Sequence, residues 1–188
     1  MGDHNTKYFY ANVQPRRNKN FITKLLNEEN QELTSDCDIN EEVVCYYRNL
    51  IGQNNNSIQG IEEDVILEGP LLNPTDADIL TCEPTSQEVH DVVLSMGDYK
   101  APGPDGFDAY FYKKFWVVIR EDIVAVVKEF WRKRRLLKQI NNTAITLIPK
   151  CPGAMKIKDF RPIACCNTLY NIISKTMANR LQLVMVNS

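Results

Sequence analysis

Two cations on either side of one loop are the residues in this sequence best suited to chemistry. Lys150 closes an apolar alternating run, Ala144, Ile145, Leu147 and Ile148, and Arg161 lies beyond a Pro-Gly loop that carries Lys156 and Lys158. The pattern predicts a two-stranded ribbon, and Arg161, standing before Pro162, is biased toward extended backbone. Lys150 and Arg161 would then fork around the loop. A planar guanidinium grips phosphate oxygens in pairs and an ammonium is a mobile point charge, so the fork suits a polyphosphate or a nucleic-acid backbone. The same residues also fit an exposed hairpin with ordinary surface charge, and spacing alone favours that plainer assignment.

Two other stretches are candidates. In Lys100-Ala101-Pro102-Gly103-Pro104-Asp105-Gly106, prolines fix φ and glycines reach conformations closed to other residues, giving a stiff loop whose backbone approaches a ligand closely. A tight connection between helices would use the same residues. Arg132-Lys133-Arg134-Arg135 ends a helical pattern, where cations suit the negative pole of the helix dipole. Four in a row exceed that need, which leaves contact with an RNA or DNA backbone as the second reading. The carboxylates offer less. Asp98, Asp105, Asp108 and Asp159 fall in loops or at helix starts, while Glu62-Glu63-Asp64 and Asp76/Asp78 lack the glycine and spacing of a cation loop. No residue is assigned to catalysis or to a metal, and His90 reads as a surface histidine.

The elements that must position these residues follow from periodicity and caps. Lys7 to Asn20 predicts a short helix and a basic elbow with Arg16, Arg17 and Lys19; Phe21 to Leu26 and Gln31 to Thr34 predict a hairpin around Asn27-Glu28-Glu29-Asn30. A helix over 36–51 starts at Ser35 or Asp36, buries Ile39, Val43, Tyr46, Tyr47 and Leu50, and stops at Gly52. Residues 58–83 read as a poorly ordered acidic linker. Thr85 and Glu88 form a capping box opening a helix over 85–97 that buries Val89, Val92, Val93 and Met96. Residues 108–135 predict a helix in two pieces, the second restarting at Asp122 with Ile123, Val126, Val127, Phe130 and Trp131 inside. The ribbon pairs 144–148 with 161–165. A last helix over 167–185 turns Leu169, Ile172, Ile173, Met177, Leu181 and Val184 inward, with Lys175 and Arg180 elsewhere. The expected fold class is α+β, mainly helical with one β-ribbon.

The motifs LIPK (147–150), DFRPI (159–163) and CCNTLYNIISKTMANRL (165–181) follow KAPGPDGF (100–107) in that order. Together they resemble the fingers of the reverse transcriptases of plant non-LTR (LINE-type) retrotransposons, over nearly the whole chain. The resemblance implies a linker region over 1–83 and the fingers of a polymerase over 84–188. It implies that Lys150 and Arg161 hold the triphosphate of the incoming nucleotide, and that Lys100, Gly103, Asp105 and Gly106 support the template. RNA template and DNA primer are the implied partners. Such polymerases work with two Mg2+ ions held by aspartates of a palm, in an Asp-bearing strand and a Tyr-x-Asp-Asp hairpin. This chain has no Asp-Asp pair. The implied protein is therefore a truncated RNA-directed DNA polymerase without palm, thumb or the preceding endonuclease, inactive alone and with no cofactor of its own. A non-catalytic nucleic-acid-binding module derived from such an element is the alternative.

Composition sets the outer bounds. With 188 residues, 44% apolar, the chain suffices for an ordinary globular domain. A net charge of -2 conceals an asymmetry: residues 1–96 hold 6 Lys/Arg against 17 Asp/Glu, a balance of -11, and residues 97–188 hold 16 against 7, a balance of +9. The second half is the expected partner of an anion. The six cysteines, Cys37, Cys45, Cys82, Cys151, Cys165 and Cys166, form no CxxC pair, so neither a zinc site nor a disulfide scaffold is indicated. No apolar run reaches the roughly 20 residues that span a bilayer and Met1 precedes polar residues, so a nuclear or cytoplasmic chain without a membrane segment is expected.

Overall fold

The computed structural model describes residues 21–52 and 72–187. The helix and elbow expected over 7–20, and the loop and acids at 53–71, including Glu62, Glu63 and Asp64, lie outside the described residues. The fold is α+β, mostly helical with two small two-stranded sheets. It divides into two compact units, one built from 21–52 with 145–163 and the other from 72–144 with 164–187.

In the first unit, β1 (Leu25–Leu26) pairs antiparallel with β2 (Glu32–Leu33). The turn between them closes because Asn27 is bonded to Gln31 through both backbone and side chain, and Asn30 adopts φ 61, a conformation asparagine tolerates. Helix α1 (Asp36–Ile51) starts at Ser35, whose Oγ accepts from the Cys37 N–H, and ends at Gly52, matching the sequence-based limits. The ribbon's turn belongs to this unit. Its Ile157 and Phe160 join Leu25 and Ile39 in a small buried cluster, and Leu26 donates to the Met155 carbonyl.

The second unit holds the larger core. Helix α2 (Pro74–Thr81) occupies part of the stretch expected to be a disordered linker. The signal is local: Asn73 accepts from the Asp76 N–H and donates back to its carboxylate, with Pro74 at the first helical position. Helix α3 (Ser86–Ser95) begins at Thr85, whose hydroxyl accepts from Glu88 N–H at 3.1 Å and contributes about 1 kcal/mol. The other half of the expected capping box is absent, because the Glu88 carboxylate is bound by Arg180. His90 is half-buried and stacks on Trp116 at 4.9 Å, so it is a packing residue rather than a surface one.

Helices α4 (Ala109–Lys114) and α5 (Trp116–Lys133) are separated at Phe115, not at Asp122. Asp108 caps the first, while Asp122 lies inside the continuous second helix. Helix α6 (Thr168–Asn187) completes the packing; α3 lies against α4, α5 and α6, and α2 lies against α6. Val89, Val92, Val93, Tyr112, Ile123, Val127, Ile172 and Ile173 are the buried centre. The inner face of α6 differs from expectation. Ile172, Ile173, Thr176, Arg180 and Val184 are buried, whereas Met177 and Leu181 are exposed. Spacings of four residues keep 172, 176, 180 and 184 on one face, and a pattern that scores apolar residues alone passes over Thr176 and Arg180. Exposed Met177, Leu181 and Met185, four residues apart, leave an apolar stripe on this helix.

Strands β3 (Thr143–Pro149) and β4 (Phe160–Cys166) form the ribbon within a residue or two of the expected limits. Thr143 bonds Cys166 at its open end, and Lys150 N–H donates to the Asp159 carbonyl at its turn, as an antiparallel pair requires.

Candidate nucleic-acid interface

The ribbon's turn places Lys150, Lys158 and Arg161 at one end of two strands, each exposed. Lys150 folds back: its ammonium donates to the Lys158 carbonyl, leaving two of its three N–H donors for a ligand. Arg161 has no side-chain partner among the described residues, so its whole donor fork faces solvent. Lys156 is turned to Asn30 at 2.7 Å, and Asp159 accepts from the Lys156 N–H at 3.2 Å. The carboxylate is thus spent on holding the turn. Beside it lies an open cavity of about 720 Å³ lined by Phe21, Lys24, Ile148, Lys150, Met155 and Phe160 among others, apolar on its walls with two ammonium groups at its edge.

The 100–106 loop is built on Asn167, the residue just before α6. Asn167 Oδ1 accepts from the Asp105 N–H at 3.3 Å, and its Nδ2 donates to the carbonyls of Gln139 and Ile140. Thr168 Oγ1 then donates to the Phe107 carbonyl at 2.7 Å. Inside the loop, Gly106 N–H donates to the Gly103 carbonyl and Asp105 Oδ1 accepts from Phe107 N–H. Gly103 touches Asn167 so closely that a Cβ would lie 2.4 Å from its nitrogen, while Gly106 sits in open space at φ +78. Of the four residues expected to face a template, Gly103 and Asp105 are therefore consumed in building the loop. Lys100 and Gly106 are exposed. Sequence reading offers Asn167 only as a possible start of the last helix; its support of the loop depends on three segments converging.

Asp105 also acts on Tyr112, whose phenol is pushed up to about 12 chiefly by burial and secondarily by that carboxylate. A raised phenol pKa means that the fold favours the neutral form. The associated stability is present below pH 10, the unfolded value, and is lost as pH rises toward 12. Tyrosinate absorbance of the chain minus that of Tyr112→Phe should show a step near pH 12, and Asp105→Asn should move that step downward.

The basic run at the end of α5 is divided. Arg132 makes two hydrogen bonds to the Glu83 carboxylate and Lys133 bonds Glu129 at 2.6 Å, and these bonds hold both carboxyls below the usual range. Arg134 caps the helix in the left-handed region, φ 52, and Arg135 is exposed; neither side chain has a partner among the described residues. Two of the four expected backbone contacts are thus engaged and two are free.

Among the described residues no group of three or more His, Cys, Asp or Glu could hold a metal ion. Asp98 pairs with Lys113, Asp108 caps α4, and Asp105 and Asp159 hold their own turns. These four aspartates are therefore not arranged to share a pair of metal ions. Among the described residues no helix is long and apolar enough to cross a membrane.

No family model matches the chain. It is 27% identical over 184 residues to the "Transposon TX1 uncharacterized 149 kDa protein" of Xenopus laevis, a match that covers 97% of this chain and 14% of that protein. Over nearly its whole length, then, the chain is related to a transposon protein, of whose length it spans about one seventh.

Proposed function

We propose that the chain is the fingers portion of an RNA-directed DNA polymerase of a LINE-type retrotransposon, of the plant group its motifs resemble. In this role Lys150 and Arg161 bind the triphosphate of an incoming nucleotide, and the 100–106 loop supports a template strand. The observation that carries the reading is the ribbon turn, where Arg161 presents an exposed guanidinium with no partner among the described residues, and Lys150 a partly free ammonium, at the same end of two strands. Bidentate and point-charge donors at one place suit a triphosphate better than they suit a single carboxylate. The alignment along a transposon protein supports the same origin.

The test is a titration of the purified chain with a fluorescent deoxynucleoside triphosphate. Arg161→Ala should weaken binding by about tenfold or more, since a charge-assisted hydrogen bond is worth about 1.5–3 kcal/mol, and the corresponding nucleoside should not compete. Equal binding of nucleoside and triphosphate would overturn the assignment. The same preparation is expected to add no nucleotide to a primer on an RNA template with any divalent metal, because each candidate carboxylate is already committed to a lysine or to backbone N–H groups. Template-dependent incorporation lost in Asp105→Ala or Asp159→Ala would refute that expectation.

That commitment of the acids also supports a second reading, a nucleic-acid-binding module without catalysis. It predicts strand binding that weakens steeply with salt, with Arg134 and Arg135 contributing to the slope.

A further inference from the structure

Around the 100–106 loop the surface carries aromatic rings that no core explains. Tyr99 is 63% exposed, Tyr110 44%, and Phe107 and Phe115 are 45% exposed each. Rings of this size ordinarily disappear into a core. Tyr99 and Tyr110 lie nearly parallel, 18° apart with centroids at 6.3 Å, and neither hydroxyl has a partner among the described residues. Lys114 stands over Tyr110 at 5.6 Å from the ring centre, and Lys100 follows Tyr99 in sequence.

The platform is held rigid from beneath. Lys113 bonds both the Met96 carbonyl and the Asp98 carboxylate, which pins the turn bearing Tyr99 onto α4. Phe107 and Phe111 pack at 4.4 Å, and Thr168 fixes the Phe107 carbonyl. The three nearby acids are turned away from a ligand: Asp98 to Lys113, Asp105 to the Phe107 N–H and Asp108 to the Phe111 N–H. Lys114 is thereby left unopposed over the Tyr110 ring, and Lys100 is exposed on the turn next to Tyr99.

We propose that Tyr99 and Tyr110 form a stacking platform for the bases of a single-stranded nucleic acid, with Lys100 and Lys114 contacting its phosphates. Exposed aromatic faces interleaved with cations are how strands are held without sequence preference, because every base offers a π-face. The charge around the rings selects a polyanion over an apolar protein partner. This deepens the template-contact part of the proposed function and rests on that reading, but it uses residues separate from the triphosphate fork at Lys150 and Arg161.

The test titrates the whole chain with a short labelled oligoadenylate, as RNA and as DNA, and with an abasic strand of the same length. Tyr99→Ala and Tyr110→Ala should each weaken oligoadenylate binding roughly five- to a hundredfold, with helix content unchanged by circular dichroism. Tyr110→Phe should keep affinity, since the ring and not the hydroxyl stacks. The abasic strand should bind the chain and its alanine variants alike. Lys114→Gln should flatten the plot of log affinity against log salt by about 0.7. Loss on both strands or on one supports the platform, the larger loss naming its ligand. Alanine variants that bind oligoadenylate as the parent does, or that lose the abasic strand equally, overturn it. Triphosphate binding by the same variants is expected to be unchanged, so failure of the platform is separable from failure of the nucleotide site.

Discussion

Arg180→Ala is expected to lower the unfolding free energy by about 3 kcal/mol, the low end of the cost of breaking a buried ion pair, because the Glu88 carboxylate left behind is half-buried. Arg180 is 6% exposed on the inner face of α6. Its Nε and Nη2 bond the two oxygens of Glu88 at 2.6 and 2.8 Å, Nη1 donates to the Cys82 carbonyl, and the guanidinium lies 5.3 Å from the centre of the Trp131 ring. One side chain thus ties α6 to the start of α3, to the end of α2 and to α5. Glu88 as the main hydrogen-bond partner raises the guanidinium's pKa further, so Arg180 stays charged at every pH at which the chain is folded. Removing it leaves a carboxylate and a carbonyl without their donor. Removing both charges, as Glu88→Leu with Arg180→Leu, should recover much of the loss, because apolar replacements of a buried pair are often neutral. Urea unfolding followed by circular dichroism reads both. A single-variant loss below about 1 kcal/mol, the range of surface pairs, would show that the guanidinium is effectively solvated.

Gly103→Ala is the second large effect. The added Cβ would meet the Asn167 nitrogen and Oδ1 at 2.4 Å and its Cα at 2.5 Å, and two of these three are backbone atoms that cannot swing aside. Overpacking of this kind costs about 1–3 kcal/mol, and relief requires the loop to lift from the start of α6. Lifting breaks the Asn167 bond to Asp105, so the strand binding proposed for this loop should fall along with stability. Gly106→Ala offers the control. Nothing lies near its Cβ, and the expected cost is the left-handed backbone penalty, about 1–2 kcal/mol. A thermal shift for Gly103→Ala no larger than that for Gly106→Ala would mean that the loop does not rest on Asn167.

Elements with local signals were legible in the sequence. The limits of α1 follow from Ser35 and Gly52, and the ribbon follows from alternation broken by a Pro-Gly turn. Helix α2 was missed although Asn73-Pro74-Thr75-Asp76 carries a start signal, because the surrounding acids and prolines looked like linker. The break at Phe115 was placed too late because Asp122 resembles a cap and is instead an exposed residue on a continuous helix. That Lys150 and Arg161 flank one turn of a ribbon could be read from spacing. The pairing of Arg132 with Glu83 could not, since nothing within a helical turn of Arg132 announces a partner 49 residues away. Arg180 and Asn167 share this character: their value lies in where distant segments meet.

The ribbon also has a bearing on whether neighbouring molecules stick together. A two-stranded sheet has two open edges, and open edges invite another chain's backbone to pair with them. Counting from Asp159, whose carbonyl faces Lys150, alternate residues of β4 point toward β3, which puts the nitrogen of Pro162 on the outer edge. Proline has no hydrogen to offer there, so that edge is interrupted where the apolar Ile163 is exposed. The residue that holds Arg161 in extended backbone therefore also guards the fork against aggregation, and a mutation that restored a donor at 162 would endanger both at once.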